Sequence, residues 1–116
     1  MGSGAYVTTG GVWTNAASRE YKQDIAPLET DPAMETLKSL QPVTFKHMTE
    51  SERHVGFIAE DVPDLVASKD RKGLSSMDIV AVLTKVVQEQ QARMDAQERR
   101  IGELHDELQQ IKQEGR

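Results

Sequence analysis

The feature that most constrains the fold of this chain is a heptad repeat that begins at Val80 and continues to Ile111. Position a of the repeat holds Val80, Val87, Met94, Ile101 and Leu108, and position d holds Leu83, Gln90, Gln97, Leu104 and Ile111. Eight of these ten positions are apolar over five heptads, which is typical of a coiled coil. The repeat therefore predicts one long helix that packs against copies of itself.

The start of this helix is marked by the sequence Ser75–Asp78, where a serine cap precedes an acid that suits the positive end of a helix. The alternative is a single amphipathic helix packed on a globular core. That alternative suits the first two turns, where Ile79, Val82 and Val86 widen the apolar face. It does not suit the polar half beyond Gln88, which has no large apolar partner in the sequence.

Two of the d positions are polar, Gln90 and Gln97. A buried polar residue in a coiled coil lowers stability but can fix the register and the number of helices. The a and d residues also depart from the dimer pattern of β-branched a and leucine d, which permits three strands. Periodicity alone leaves the number of helices open.

The composition limits the functions that the chain can perform. Hydrophobic residues make up 37% and aromatic residues 4% of 116 residues, so one modest domain with a small core is expected, and self-association would support it. The net charge of −5 argues against nucleic acid as a partner. There is no cysteine, which excludes disulfides and thiolate chemistry, and no apolar run long enough to span a membrane.

The first forty residues predict little regular structure other than one short helix. Met1–Asn15 is rich in Gly, Thr and Ser and reads as an extended strand or a flexible leader. Its first four residues, Met1–Gly4, read as a remnant of cloning rather than a signal peptide. Asp31 and Pro32 predict a helix with Asp31 as its N-cap, and Pro42 ends that helix.

The middle of the chain predicts a β-hairpin. Apolar and polar residues alternate over Val43–His47, and His54–Ala59 is apolar enough for a second strand. Gly56 within the second strand indicates a bulge or the close approach of another backbone. A short helical turn is expected over Glu60–Val66.

Two segments carry a more specific signal. Asn15–Ile25 reads Asn-Ala-Ala-Ser-Arg-Glu-Tyr-Lys-Gln-Asp-Ile, and His54–Pro63 reads His-Val-Gly-Phe-Ile-Ala-Glu-Asp-Val-Pro. Together they resemble the C-terminal intramolecular chaperone domain of phage tailspikes and tail fibres, the endosialidase-chaperone or peptidase S74 family. The resemblance implies a domain that forms trimers, assists the folding of the fibre ahead of it and then cuts itself off.

The resemblance also implies a catalytic pair, a serine nucleophile with a lysine five residues further on. Lys22 fits the lysine position, but Ala17 stands where the serine is expected, and the bond at risk is that between Ala16 and Ala17. Alanine has no nucleophilic oxygen, so the chain reads as a Ser-to-Ala form that cannot cleave itself. Ser18 is offset by one residue, which in an extended backbone places its side chain on the other face.

The spacing of Ala17 and Lys22 brings both side chains to one site only if the backbone bends, because residues five apart in a strand face opposite ways. His54 and Glu60 flank the Gly-Phe-Ile-Ala run of the second motif and are further candidates for polarising the site or orienting Lys22. The histidines show no ligand spacing with other histidines or cysteines, so no metal and no cofactor are expected.

The expected architecture is α+β: a small β-rich or mixed region with a short helix, then a long C-terminal helix that forms a trimeric coiled coil. Its parts are 1–16, the end of an upstream fibre or linker; 17–75, the chaperone and autoprocessing region; and 76–116, the coiled coil. The resemblance implies a homotrimer attached to an upstream fibre domain of the same polypeptide, with neither nucleic acid nor membrane as partner. It also implies assembly in the cytoplasm of the host bacterium and release before the mature virion.

Two other functions compete with this interpretation. The chain could be a structural coiled-coil trimerisation module with no peptidase activity. It could also derive from a membrane-bound transcription-factor precursor, since the same self-cleaving fold occurs there, but the sequence has neither a membrane segment nor a basic region.

Overall fold

The computed structural model describes residues 6–14 and 17–115 of the chain. Its helices and strands are β1 (Tyr6–Val7), β2 (Trp13–Thr14), α1 (Thr30–Ser39), β3 (Val43–Lys46), β4 (Arg53–Gly56) and α2 (Ser76–Glu114). Short 3-10 turns lie at Arg19–Tyr21, Ala59–Asp61 and Asp64–Val66. This order confirms the α+β class and the division into a small mixed region followed by one long helix.

The N-terminal strands β1 and β2 form a small antiparallel hairpin, where an extended strand or a flexible leader was expected. Its turn closes because the Thr8 N–H donates to the Val12 carbonyl oxygen at 2.8 Å. Gly11 adopts a left-handed φ of 84°, which a residue without Cβ accepts at no steric cost. Among the described elements the hairpin contacts only itself.

The hydrophobic core lies where α1 crosses the first turns of α2. Six side chains are buried there: Ala33, Val62, Val66, Ile79, Val82 and Val86. The 3-10 turn that ends at Val66 contacts both helices and closes the core from one side. This core is small because five of the six buried side chains are no larger than valine, as the low aromatic content required.

Helix α1 begins two residues earlier than the sequence predicted. Thr30 is its first residue and Glu29 flanks it without a side-chain cap, so the expectation of Asp31 as N-cap is wrong. Asp31 and Pro32 instead occupy the first turn. Proline is tolerated there because the first four N–H groups of a helix have no partner within it, and an acid in that turn favours the helix dipole.

Strands β3 and β4 form the predicted hairpin, in the register that pairs Phe45 with His54 and Val43 with Gly56. Strand β4 ends at Gly56, not at Ala59, because Phe57 turns to pack against the core and a 3-10 turn follows at Ala59–Asp61. Gly56 makes room for a side chain rather than for another backbone. A Cβ at this position would lie 3.2 Å from Cε1 of Phe45.

Helix α2 has 39 residues, which at 1.5 Å per residue is about 58 Å, and accounts for most of the 74 Å length of the molecule. Ser75 caps it as predicted, its Oγ accepting from the Asp78 N–H at 3.4 Å. Only Ile79, Val82 and Val86 of this helix are buried, and the rest extends beyond the core. Within residues 6–14 and 17–115, no helix is both long and apolar enough to cross a lipid bilayer.

Candidate functional site

The segment that should carry the catalytic pair contains the bend that the spacing requires. Ala17 and Lys22 stand on either side of one 3-10 turn, Arg19–Tyr21, and the Lys22 N–H closes this turn by donating to the Arg19 carbonyl oxygen at 3.0 Å. Both residues are exposed. Ala16, the residue on the other side of the expected cleavage site, lies outside the described residues.

Ser18 has a structural task of its own in this turn. Its Oγ caps the turn by accepting from the Glu20 N–H at 3.3 Å, while its backbone is extended at φ −64° and ψ 141°. A hydroxyl held by the turn on one side is poorly placed to replace a missing nucleophile at the neighbouring position. This contact agrees with the inference that Ser18 does not substitute for a serine at position 17.

The end of the first motif contains a strained backbone position. Asp24 has a φ of 53°, in the left-handed region that most side chains avoid and that Asp and Asn tolerate best. Asp24 lies two residues after Lys22 and directly before Ile25, the last residue of the first motif. The end of this motif therefore holds a residue type that adopts the left-handed conformation more readily than most.

The second motif is built around the ring of Phe45. The centroid of the Phe45 ring lies 5.7 Å from the centroid of the His54 ring, and these two residues pair across the hairpin. The Phe45 ring also lies over Gly56. The glycine leaves space for the ring, and the ring supports the imidazole. His54 is half-buried, and its Nε2 lies 3.2 Å from Oε2 of Glu50, a residue that sequence reasoning did not connect with it.

The structure does not bring all predicted site residues together. His54 lies on β4 and Glu60 in the exposed 3-10 turn that follows β4. Among the described residues, no hydrogen bond or ion pair joins Lys22 to His54 or to Glu60. The turn at Arg19–Tyr21 likewise contacts none of the described helices and strands. The catalytic roles of Lys22, His54 and Glu60 therefore stay predictions.

The predicted coiled-coil seam lies open in the single chain. All eight of its apolar residues are between 41% and 65% exposed, and the two glutamines are exposed as well: Val80, Leu83, Val87, Gln90, Met94, Gln97, Ile101, Leu104, Leu108 and Ile111. The helix thus has two apolar faces in its first turns. One face packs in the core of the same chain and consists of Ile79, Val82 and Val86. The other face is the seam, which lies about 100° further round the helix and is uncovered.

The apolar surface of the seam continues onto the β3–β4 hairpin. A groove between the hairpin and the start of α2 is lined by Phe45, Val55 and Val80, among others. Val55 is 81% exposed, more than any other apolar residue of the hairpin strands. The second motif and the start of the seam at Val80 therefore share one exposed surface.

A comparison with known protein families gives a match that agrees with these motifs. The family model described as chaperone of endosialidase, peptidase S74, matches residues 18–70. The match contains Lys22, His54 and Glu60, and it leaves out Ala17 and helix α2. It confirms the resemblance over this segment. No curated protein and no solved structure matched the chain.

Proposed function

Since residues 18–70 form a chaperone of endosialidase segment of the peptidase S74 family, we propose that this chain is a trimeric intramolecular chaperone for a phage tail fibre or tailspike. In this proposal the long helix joins three copies, the upstream fibre of each copy folds against the other two, and the domain stays attached because position 17 is alanine. The host bacterial cytoplasm is the place of assembly.

The observation that carries this proposal is the uncovered seam on α2. Helix α2 has 39 residues and carries eight exposed apolar side chains along one stripe, and an exposed apolar surface of this kind marks a protein–protein contact. The occupant with the matching pattern is a second and third copy of the same helix, because a and d residues pack into holes formed by a and d residues. The exposed Val55 beside Val80 extends that contact from the helix to the hairpin.

The chaperone action follows from joining three chains at one end. A coiled coil raises the effective concentration of the attached fibre strands for one another. Long-range β pairing is slow and exposes strand edges that aggregate, so a clamp that shortens the search favours the folded fibre. Removal of the clamp after folding would leave a fibre whose stability is kinetic, since it could not readily refold.

The self-cleavage of the family needs three elements that this chain can be checked against. A hydroxyl must attack the carbonyl carbon of the preceding peptide bond, a base must take its proton, and the amine that leaves, which belongs to the same residue, must be protonated. Water then hydrolyses the ester that still joins the two fragments, which completes the cut. Ala17 removes the first element, while Lys22 is present for the second across the 3-10 turn. Because Lys22 is exposed in the single chain and a lysine base works when buried, the active arrangement requires cover from another chain or from the upstream fibre.

A structural coiled-coil module without peptidase activity is the second candidate. It is favoured by one observation, that the turn between Ala17 and Lys22 contacts none of the described helices and strands. Under this alternative, the introduction of a serine at position 17 changes nothing. Under the proposed function, it creates a cut.

The chaperone role is tested by fusing a β-structured phage fibre shaft ahead of the chain and measuring the yield of soluble trimer. We expect the fusion to give trimers that retain the domain, and the shaft alone to aggregate. A fusion with Leu104→Asp and Leu108→Asp serves as the matched control, because it keeps the small α+β region and disrupts the seam. Equal soluble yields from all three proteins would show that the domain is a passive end-piece.

A further inference from the structure

The chain has three histidines, and two of them meet at the end of the β3–β4 hairpin. The ring centroids of His47 and His54 lie 5.1 Å apart. Glu50 and Glu52 lie in the loop between these two histidines. One possible ligand atom from each of three residues lies within 4.8 Å of the other two, and these residues are Glu50, Glu52 and His54. Sequence spacing did not predict this cluster of one imidazole and two carboxylates, beside which the His47 ring lies.

The hairpin register explains why these four side chains share one face. Phe45 pairs with His54, and because side chains alternate along a strand, His47 and Glu52 continue the same face towards the loop. The Glu50 N–H donates to the His47 carbonyl oxygen at 3.1 Å, a turn that folds Glu50 back towards this face.

The cations of the hairpin lie on the opposite face. Lys46 pairs with Arg53, and the Arg53 guanidinium Nη2 donates to the Thr44 hydroxyl at 3.2 Å on that side. The face of the cluster carries the carboxylates of Glu50 and Glu52, and the basic residues Lys46 and Arg53 of the two strands lie on the other face. This separation of charge favours a divalent cation.

The two imidazoles are positioned before any ligand binds. The Phe45 ring packs edge-on against His47 with a centroid distance of 5.2 Å and lies 5.7 Å from His54, and Gly56 leaves the space that this ring occupies. The distance of 3.2 Å between His54 Nε2 and Glu50 Oε2 is close to the separation of about 3.3 Å that two ligands have on a tetrahedral Zn²⁺ ion. The ligand atom of Glu52 lies within 4.8 Å of those of His54 and Glu50.

We propose that His54, Glu50 and Glu52, with His47 as a fourth ligand, form a binding site for a divalent transition metal ion of the Zn²⁺ class. Imidazole and carboxylate ligands at this spacing suit Zn²⁺ better than Ca²⁺ or Mg²⁺, which prefer sites made of oxygen atoms alone. The bound ion would join the two strands at the end where the loop connects them and fix that loop. This proposal departs from the absence of a metal that the sequence led us to expect, and it is independent of the chaperone function.

The test is isothermal titration calorimetry of the full chain with ZnCl₂ at neutral pH. We expect one Zn²⁺ per chain at micromolar concentrations, weakened by about tenfold or more in His54→Ala and in Glu50→Gln, since even outer partners of metal ligands act on this scale. His105→Ala is the matched control, because His105 is an exposed histidine on α2 whose Nδ1 lies 3.7 Å from the Asp106 carboxylate. This variant should bind Zn²⁺ unchanged.

A second measurement does not depend on any variant. In proton NMR spectra of the unsubstituted chain, the ring signals of His47 and His54 should shift on addition of ZnCl₂, while those of His105 stay in place. The proposal is overturned if Zn²⁺ does not bind, if His54→Ala binds it as tightly as the parent, or if binding is lost in His105→Ala. The last result would place the metal on the helix.

Discussion

Replacing Leu104 and Leu108 by aspartate should dissociate the assembly that we propose for helix α2. The two leucines are 46% and 50% exposed in the single chain. Complete burial of a leucine is worth about 1.5–3 kcal/mol, so covering the exposed half of each side chain contributes roughly 0.7–1.5 kcal/mol. Six such leucines in a trimer contribute about 4–9 kcal/mol, which is roughly three to six powers of ten in the association constant.

The aspartates add to this loss, because they bring six like charges into one seam. The assay is sedimentation velocity at tens of micromolar protein, with circular dichroism to check that α2 stays helical. The control variant is Gln110→Asp with Gln113→Asp, which makes the same change of charge on the same helix but outside the a and d positions. We expect trimers from the parent and the control and monomers from the seam variant. A monomeric parent, or a seam variant that sediments like the control, would refute the reasoning.

Three further predictions concern single residues. Gly56→Ala should destabilise the chain by about 1 kcal/mol in thermal unfolding, because the new Cβ would lie 3.2 Å from the Phe45 ring; an unchanged midpoint would contradict this contact. In the Ala17→Ser background, Asp24→Asn should retain cleavage and Asp24→Val should slow it, since a β-branched residue resists the φ of 53°; equal rates by gel densitometry would contradict a left-handed requirement. The Lys72 N–H is the chief cause of the lowered pKa of Asp70. The stability that this carboxylate gives its loop is therefore complete above the ordinary pKa of Asp and is lost as the pH falls through the lowered pKa. Protection of the Lys72 amide against exchange, relative to its intrinsic rate at each pH, that is unchanged at acidic pH would contradict this prediction.

The long helix and the hairpin could be predicted from sequence because each depends on local pattern. The seam repeats every seven residues, Ser75 is a standard cap, and alternation over Val43–Lys46 fits a strand with one buried face. The sequence showed that Ile79, Val82 and Val86 widen the apolar face of the first two turns, which suited the alternative of a helix packed on a core, and the structure buries these three residues. These features are set by residues within one or two turns of each other.

Other features depend on contacts that spacing does not show. The N-cap of α1 moved from Asp31 to Glu29 because a helix N-terminus is selected by the core that it packs on as well as by its cap. Strand β4 ended early because Phe57 is drawn into that core. The approach of Glu50 to His54 requires the turn that returns the loop over the hairpin face, and only the register revealed it.

The catalytic site of the first motif stays a prediction. The resemblance implies Lys22 as the base and position 17 as that of the nucleophile, and the structure adds the 3-10 turn that separates the two positions. In the proposal that the site forms on assembly, contacts from outside the chain cover this turn, and the sequence motif of one chain does not specify them.

The most direct test of the account is intact-mass spectrometry of Ala17→Ser beside the unsubstituted chain. The account predicts that the unsubstituted chain stays whole and that Ala17→Ser is cut between positions 16 and 17, leaving the introduced serine as a new N-terminus. Adding Lys22→Ala should abolish the cut, while adding Lys38→Ala, a change at another exposed lysine, should leave it unaltered. An Ala17→Ser chain that stays whole as a trimer, or a Lys22→Ala double variant that is cut at a similar rate, would contradict the account.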